Sequence, residues 1–250
     1  MSLFDKKYCY MCGKEIGFFS TSIVNGITLC KICGSDISPF ANKRRCKKPE
    51  QLFEHLKYRK SNKTCLDNFQ ITRSFGEYDI VCIDENTQKF YVKKFGSKHI
   101  ENPDIIDCSS ITECKLIVDE DSSEYESEKA VEKIVSIITP TYIFEYMLSL
   151  KIRINHPWID EIIVRLNKEE IEAKVTAKRG TTPQSPRAQN NKYKEYESLA
   201  KEIKDALEEN RTKSKENSNK PKNAYCTHCG AVRISLQEKI CKYCDCEFDI

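Results

Sequence analysis

The sequence predicts a multi-domain α+β protein, with a zinc-folded module at each end and a β-rich domain between them. Three observations carry that prediction. Cys9-x2-Cys12 is followed by Cys30-x2-Cys33, and Cys226-x2-Cys229 by Cys241-x2-Cys244, so eight of the 14 cysteines form two four-thiolate sets. Short β-branched and aromatic runs dominate residues 70–170. A Lys/Asn/Ser/Glu-rich stretch at 211–223 sets the last module apart.

The two-residue spacer lets both sulfurs of one tight turn face the same ion, and a second knuckle brought back by a hairpin closes a tetrahedron. The knuckles are 17 residues apart in the first set and 11 in the second. Four thiolates fill the coordination sphere of Zn²⁺ and leave no position for water or substrate, so both sites are expected to be structural. Disulfides are the first alternative. No apolar signal-peptide core precedes Cys9, and no apolar run is long enough to span a bilayer, which points to a cytoplasmic chain with reduced thiols. Redox CxxC chemistry needs a single pair, and iron–sulfur clusters favour other spacings. His228 inside the third knuckle reads as solvent-facing, and Cys246 as a bystander able to replace a ligand.

Residues 1–40 form the first module. Asn25-Gly26 marks a hairpin turn, and Ser35 or Asp36 caps a short helix. A knuckle, a hairpin and a helix bearing the last ligands would make a treble clef; a plain ribbon is the other option. Residues 41–69 read as a basic linker, Lys43-Arg44-Arg45 and Lys47-Lys48, with a short helix from Glu50 to Arg59 whose apolar face is Leu52, Phe53 and Leu56.

The domain at 70–210 begins with strands over 78–83 and 89–93, joined by a turn at 84–88. A third segment leads from Ile105 through Ser109-Ser110 into Cys114–Val118. Asp119 to Lys129 is acidic and expected to be an exposed loop. Strands at 146–154 and 159–166 flank a turn containing His156, which has no partner motif that would make it a ligand or base. Cys82, Cys108 and Cys114 read as small buried hydrophobes. Residues 178–191 read as disordered. Tyr193, Tyr196, Ala200, Ile203 and Leu207 then mark an amphipathic helix of 18 or so residues. Residues 211–223 form a flexible linker and 224–250 the second zinc module. That module is far below the roughly 40 residues at which a fold stands without metal, so zinc would supply its folding energy.

The net charge of +3 conceals an asymmetry. Residues 1–63 carry 13 Lys/Arg against 5 Asp/Glu, residues 64–170 carry 12 against 21, and residues 171–250 carry 16 against 12. Each Zn(Cys)4 centre would add about −2.

The opening CYMCGKEIGFFS…LCKICGSDIS resembles bacterial domain-of-unknown-function family 4428, over some 40 residues. Cys9, Cys12, Cys30 and Cys33 match its presumed metal ligands, and Gly13, Lys14, Ile16 and Gly17 its flanking pattern. "YDIVCIDENTQKFYV" and "IDCSSITECKLIVD" look like strands of a bacterial PH-like or GRAM-like fold, which implies a β-barrel closed by a C-terminal helix over 70–210. "YCTHCGAVRISLQEKICKYCDCEF" is similar to short zinc ribbons at bacterial protein termini, although Asp245 stands where a glycine is usual. The resemblance implies neither a reaction nor a partner.

The leading expectation is therefore a non-catalytic adaptor that binds protein. The second is nucleic-acid binding through Lys43–Lys63 with Arg233, Lys239 and Lys242, which would show steep salt dependence. Binding of lipid headgroups through Lys89, Lys93, Lys94 and Lys98 is third. No nucleophile elbow, phosphate-cradling glycine loop or HExxH motif points to an enzyme.

Overall fold

The computed structural model describes residues 7–17, 21–24, 26–46, 48–96, 102–125, 139–218, 228–229, 231 and 239–247. Phe18 to Ser20, Asn25, Lys47, Lys98, Cys226, Arg233 and the stretches 126–138 and 219–227 lie outside the described residues.

The first module is two hairpins and a short helix. β1 (Lys7–Tyr8) pairs with β2 (Glu15–Ile16), and β3 (Thr21–Val24) pairs with β4 (Ile27–Cys30). Gly26 sits in the two-residue turn at φ +84°, where a side chain would be strained. Cys30 ends β4 and caps α1 (Lys31–Ser35), its sulfur accepting the Cys33 N–H at 3.4 Å.

The expected linker is instead a structural element. α2 runs from Pro49 to Asp67, well past Arg59. Pro49 starts it without wasting an N–H, and Gln51 Oε1 accepts the Lys48 N–H at 3.1 Å. Its buried stripe is Leu52, His55, Leu56, Arg59 and Asn62. Three of those five are polar, which is why apolar periodicity stops at Leu56.

The central domain has two antiparallel sheets and one long helix. β5 (Arg73–Phe75), β6 (Ile80–Asp84), β7 (Lys89–Lys93) and β8 (Ile106–Asp107) form a meander in chain order. Buried Asp84 caps the β6–β7 turn by accepting the N–H groups of Asn86 and Thr87. The second sheet centres on β10 (Thr141–Ile154), paired along one edge with β9 (Ile111–Glu124). Its other edge takes β11 (Glu161–Arg165) and then β12 (Ile171–Thr176) in succession. Buried Asn167 fills the break between those two. Its Oδ1 accepts the Leu148 N–H at 2.8 Å and its Nδ2 donates to the Tyr146 carbonyl at 3.1 Å, so the side chain stands in for a missing peptide group.

Three expectations fail in this region. Asp119 to Glu124 continue β9 rather than forming a loop, because β10 supplies backbone partners regardless of side-chain charge. Residues 178–191 are held down, with Ser185 Oγ 2.9 Å from the Tyr146 hydroxyl and donating to Glu120 at 2.9 Å. α3 (Asn191–Ser218) absorbs the first eight residues of the expected flexible linker. Ser214 donates to Asp107 at 2.8 Å and Asn217 to Gln88 at 3.0 Å, pinning that polar end.

Both sheets and α3 share one core, with Phe90, Ile106, Leu148, Leu150, Ile162, Ile203 and Leu207 at its centre. Buried Asp79 ties the sheets at one corner, accepting from Lys94 Nζ at 2.7 Å and from the Arg165 N–H at 2.9 Å. Gly76 makes the approach feasible, since a Cβ there would lie 2.4 Å from the Asp79 carbonyl oxygen. Among the described residues the strands of this domain form two separate sheets, with no pairing that closes them into the expected barrel.

A buried polar network bolts the first module to this domain. Arg59 and Asp104, exposed by only 2% and 0%, pair at 2.5 Å. Arg59 Nε also donates to the Asp36 carbonyl at 2.9 Å, and Nη2 donates to the Asn102 carbonyl. Asp104 accepts the Ser38 hydroxyl at 2.7 Å, and Asn62 clamps Pro103 and Ile105. Ser38 N–H donates to His55 Nε2 at 3.1 Å, while His55 Nδ1 is buried with no hydrogen-bond partner among the described residues. A second contact joins Arg45 to Asp160 and to the carbonyls of His156 and Pro157.

Burial first, then the Arg59 cation and His156, push the His55 imidazole down to about 4. In the unfolded chain it titrates at about 6.5. The folded state resists the proton, so this contribution is complete above the unfolded value and is lost as pH falls toward 4, about 3 kcal/mol in all. Urea unfolding of the zinc-saturated protein at neutral and mildly acidic pH checks this. His55→Gln is expected to lose distinctly less stability than wild type; equal losses would mean that His55 does not titrate in that window.

Candidate metal centres

The first centre is assembled from a knuckle, a hairpin end and a helix start. Cys9 N–H donates to the Lys14 carbonyl and Gly13 N–H to the Cys9 carbonyl, both at 2.8 Å, and Gly13 takes φ +68°. That turn aims Cys9 and Cys12 the same way. Cys30 and Cys33 arrive from β4 and α1, and all four sulfurs lie within 4.8 Å of one another. Cys12 Sγ and Cys30 Sγ are 3.8 Å apart, far beyond a disulfide bond. A tetrahedron of thiolates about 2.3 Å from one ion has edges of roughly 3.8 Å, so the residues fit such an ion.

The electrostatics call for a cation. Burial pushes the Cys9 thiol up, but the backbone N–H groups of Cys30, Cys12 and Met11 outweigh it and bring the thiol down to about 6. Cys33 is driven far upward by burial and by the sulfurs of Cys30, Cys9 and Cys12. Four crowded thiols cannot all ionise alone, and a dication removes that penalty.

The second centre repeats the knuckle. Cys241 N–H donates to the Cys246 carbonyl and Asp245 N–H to the Cys241 carbonyl, both at 2.9 Å, and Asp245 takes φ +56°. Asp245 thus adopts the conformation of Gly13, a left-handed one that aspartate tolerates better than most residues. Cys229, Cys241 and Cys244 bring their sulfurs within 4.8 Å, with Cys229 Sγ and Cys241 Sγ 3.6 Å apart. Cys246 is not in that cluster; its carbonyl, rather than its thiol, serves the knuckle. Cys226 is the remaining expected ligand and lies outside the described residues. His228 is exposed.

The chain matches no family model, and no curated protein or solved structure aligns with it significantly.

Spacing alone located the cysteines but not their support. The N–H groups aimed at Cys9, the shared turn and the stripe of α2 behind Cys9 depend on backbone geometry. Leu52 and Leu56 of α2 pack with Cys9, Ile16 and Leu29 in one cluster.

Gly13 has open space around its missing Cβ, so any cost of a side chain there is conformational. Gly13→Ala should weaken the first module by about 1 kcal/mol. Asp245→Ala should do the same to the second, whereas Asp245→Gly should be neutral or mildly stabilising. Chelator titrations of each variant measure these effects, and an innocuous Gly13→Ala would contradict the knuckle geometry.

Proposed function

We propose that this protein is a zinc-stabilised, non-catalytic adaptor that binds other proteins. In this reading a treble-clef module and a terminal zinc ribbon flank a PH-like domain, and the metal ions hold surfaces rather than react. The observation that carries it is the closed Cys9, Cys12, Cys30, Cys33 cluster, in which cysteines would occupy every position around a tetrahedral ion. A four-stranded meander, a second four-stranded sheet built on β10, and a long helix after the last strand support the PH-like reading of the central domain.

The surfaces support protein contact. The first module and α2 expose Tyr10, Ile32 and Phe53, and the second module exposes Ile240 and Tyr243. A groove of about 210 Å³ beside Cys12 and Cys33 is lined by Phe53, Leu56, Lys57 and Lys60. Nucleic-acid binding is less well supported, because Arg45 and Arg59 of the basic region are committed to internal contacts. Lipid binding loses Lys94 in the same way, to Asp79 and the Ile163 carbonyl. Among the described residues no helix is long and apolar enough to cross a membrane.

Elemental analysis should find two zinc ions per chain. Cys9→Ser and Cys226→Ser should each remove one, and a red, iron-containing protein would refute the choice of metal. Tagged full-length protein should capture a protein partner that resists nuclease and raised salt. Recovery of nucleic acid alone, released by salt, would favour the second reading instead.

A further inference from the structure

Resting on the structural-metal reading of the first centre, we infer that its metal is thermodynamically coupled to docking of the module on the β-domain. Arg59, Asp104 and Asn62, none of them ligands, then set how tightly that metal is held.

One stripe of α2 links the two events. Its first half, Leu52 and Leu56, walls the cluster containing Cys9, Ile16 and Leu29. The same stripe continues through Arg59 and Asn62, which grip residues 102–105 of the central domain. The chain leaving the metal module enters the same network. Asp36, three residues after Cys33, offers its carbonyl to Arg59, and Ser38 offers its hydroxyl to Asp104. The folded module therefore supplies two of the groups that satisfy a fully buried ion pair.

Metal loss would release the thiolates and with them the fixed positions of α1, Asp36 and Ser38. Arg59 and Asp104 would then stay buried with missing partners, an arrangement that favours undocking. Conversely, breaking the pair frees α2 and loosens the wall behind Cys9. Linkage makes the two effects equal: the factor by which metal strengthens docking is the factor by which docking strengthens metal binding. The module is then one half of a two-way device rather than a bead on a tether.

The protein carries its own reporter. Trp158, its single tryptophan, packs against both cores and stands edge-on to His55 at 5.4 Å. Its carbonyl accepts the Asn42 N–H at 2.8 Å, so undocking should move it toward water.

Equilibrium competition for zinc with a chromophoric chelator tests the inference in the zinc-loaded protein. Asp104→Asn and Asn62→Ala should weaken zinc binding at the first centre, within the range of roughly 5- to 150-fold typical of coupled sites, and leave the second centre at its wild-type affinity. Asn167→Ala, which damages the β10 ladder away from the junction, should change neither affinity. In the reverse direction, Cys12→Ser should lose one zinc, shift Trp158 emission to the red and raise amide exchange over 55–62 and 102–106 roughly tenfold or more. Cys244→Ser should leave those signals alone. Wild-type zinc affinity at the first centre in folded Asp104→Asn and Asn62→Ala would overturn the coupling; if Asp104→Asn does not fold, Asn62→Ala decides. An unmoved Trp158 in Cys12→Ser that has lost its zinc would overturn it as well. If Cys12→Ser loses no metal, the structural-metal reading has failed, and the coupling falls with it.

Discussion

The pairing of Arg59 with Asp104 is the constraint on which the arrangement of this protein depends. Two ionised groups almost wholly removed from water would cost more than their attraction returns unless their remaining hydrogen-bonding capacity is met. Here it is met by the Asp36 and Asn102 carbonyls on one side and by the Ser38 hydroxyl on the other. Those groups come from the metal module and from the strap before β8. Satisfying the pair therefore fixes the module, α2 and the central domain in one geometry. Removing one partner of such a pair costs about 3–5 kcal/mol, comparable with much of a small domain's stability.

Metal and polar network divide the work at different scales. The modules at the ends bury little apolar surface, and a metal held by their cysteines would supply folding energy that packing does not. Both use the same turn, with a left-handed residue directly after the second cysteine, glycine in one and aspartate in the other. The central domain stands on its own apolar core and places several buried polar side chains where the ladder or the packing breaks. Asn167 bridges an interrupted strand edge, Asp79 ties two sheets at a corner, and Asp84 caps a turn. In each case the buried polar group has backbone groups among its partners.

The parts legible in the sequence were those with local rules. Cysteine spacing located the sulfur clusters because two residues between cysteines is a property of one turn. β6, β7 and most of β10 were legible because branched and aromatic side chains are concentrated in them. The acidic half of β9 was not, since its pairing comes from β10 and leaves no trace in its own composition. β12 was hidden by charged residues facing outward, and the far end of α3 by a stripe of Asn and Ser.

The sequence by itself determined that each end carries a four-cysteine set and that a β-rich domain lies between them. It did so because ligation and strand formation are written in neighbouring residues. Only the tertiary structure decided that residues 41–69 are a bolt and not a linker. Arg45 and Arg59 look like solvated charges in a basic run, and nothing near them in the chain says otherwise. Their partners, Asp160 and Asp104, are brought to them by the fold, and burial of the Arg59–Asp104 pair turns an ordinary charge into the joint of the molecule.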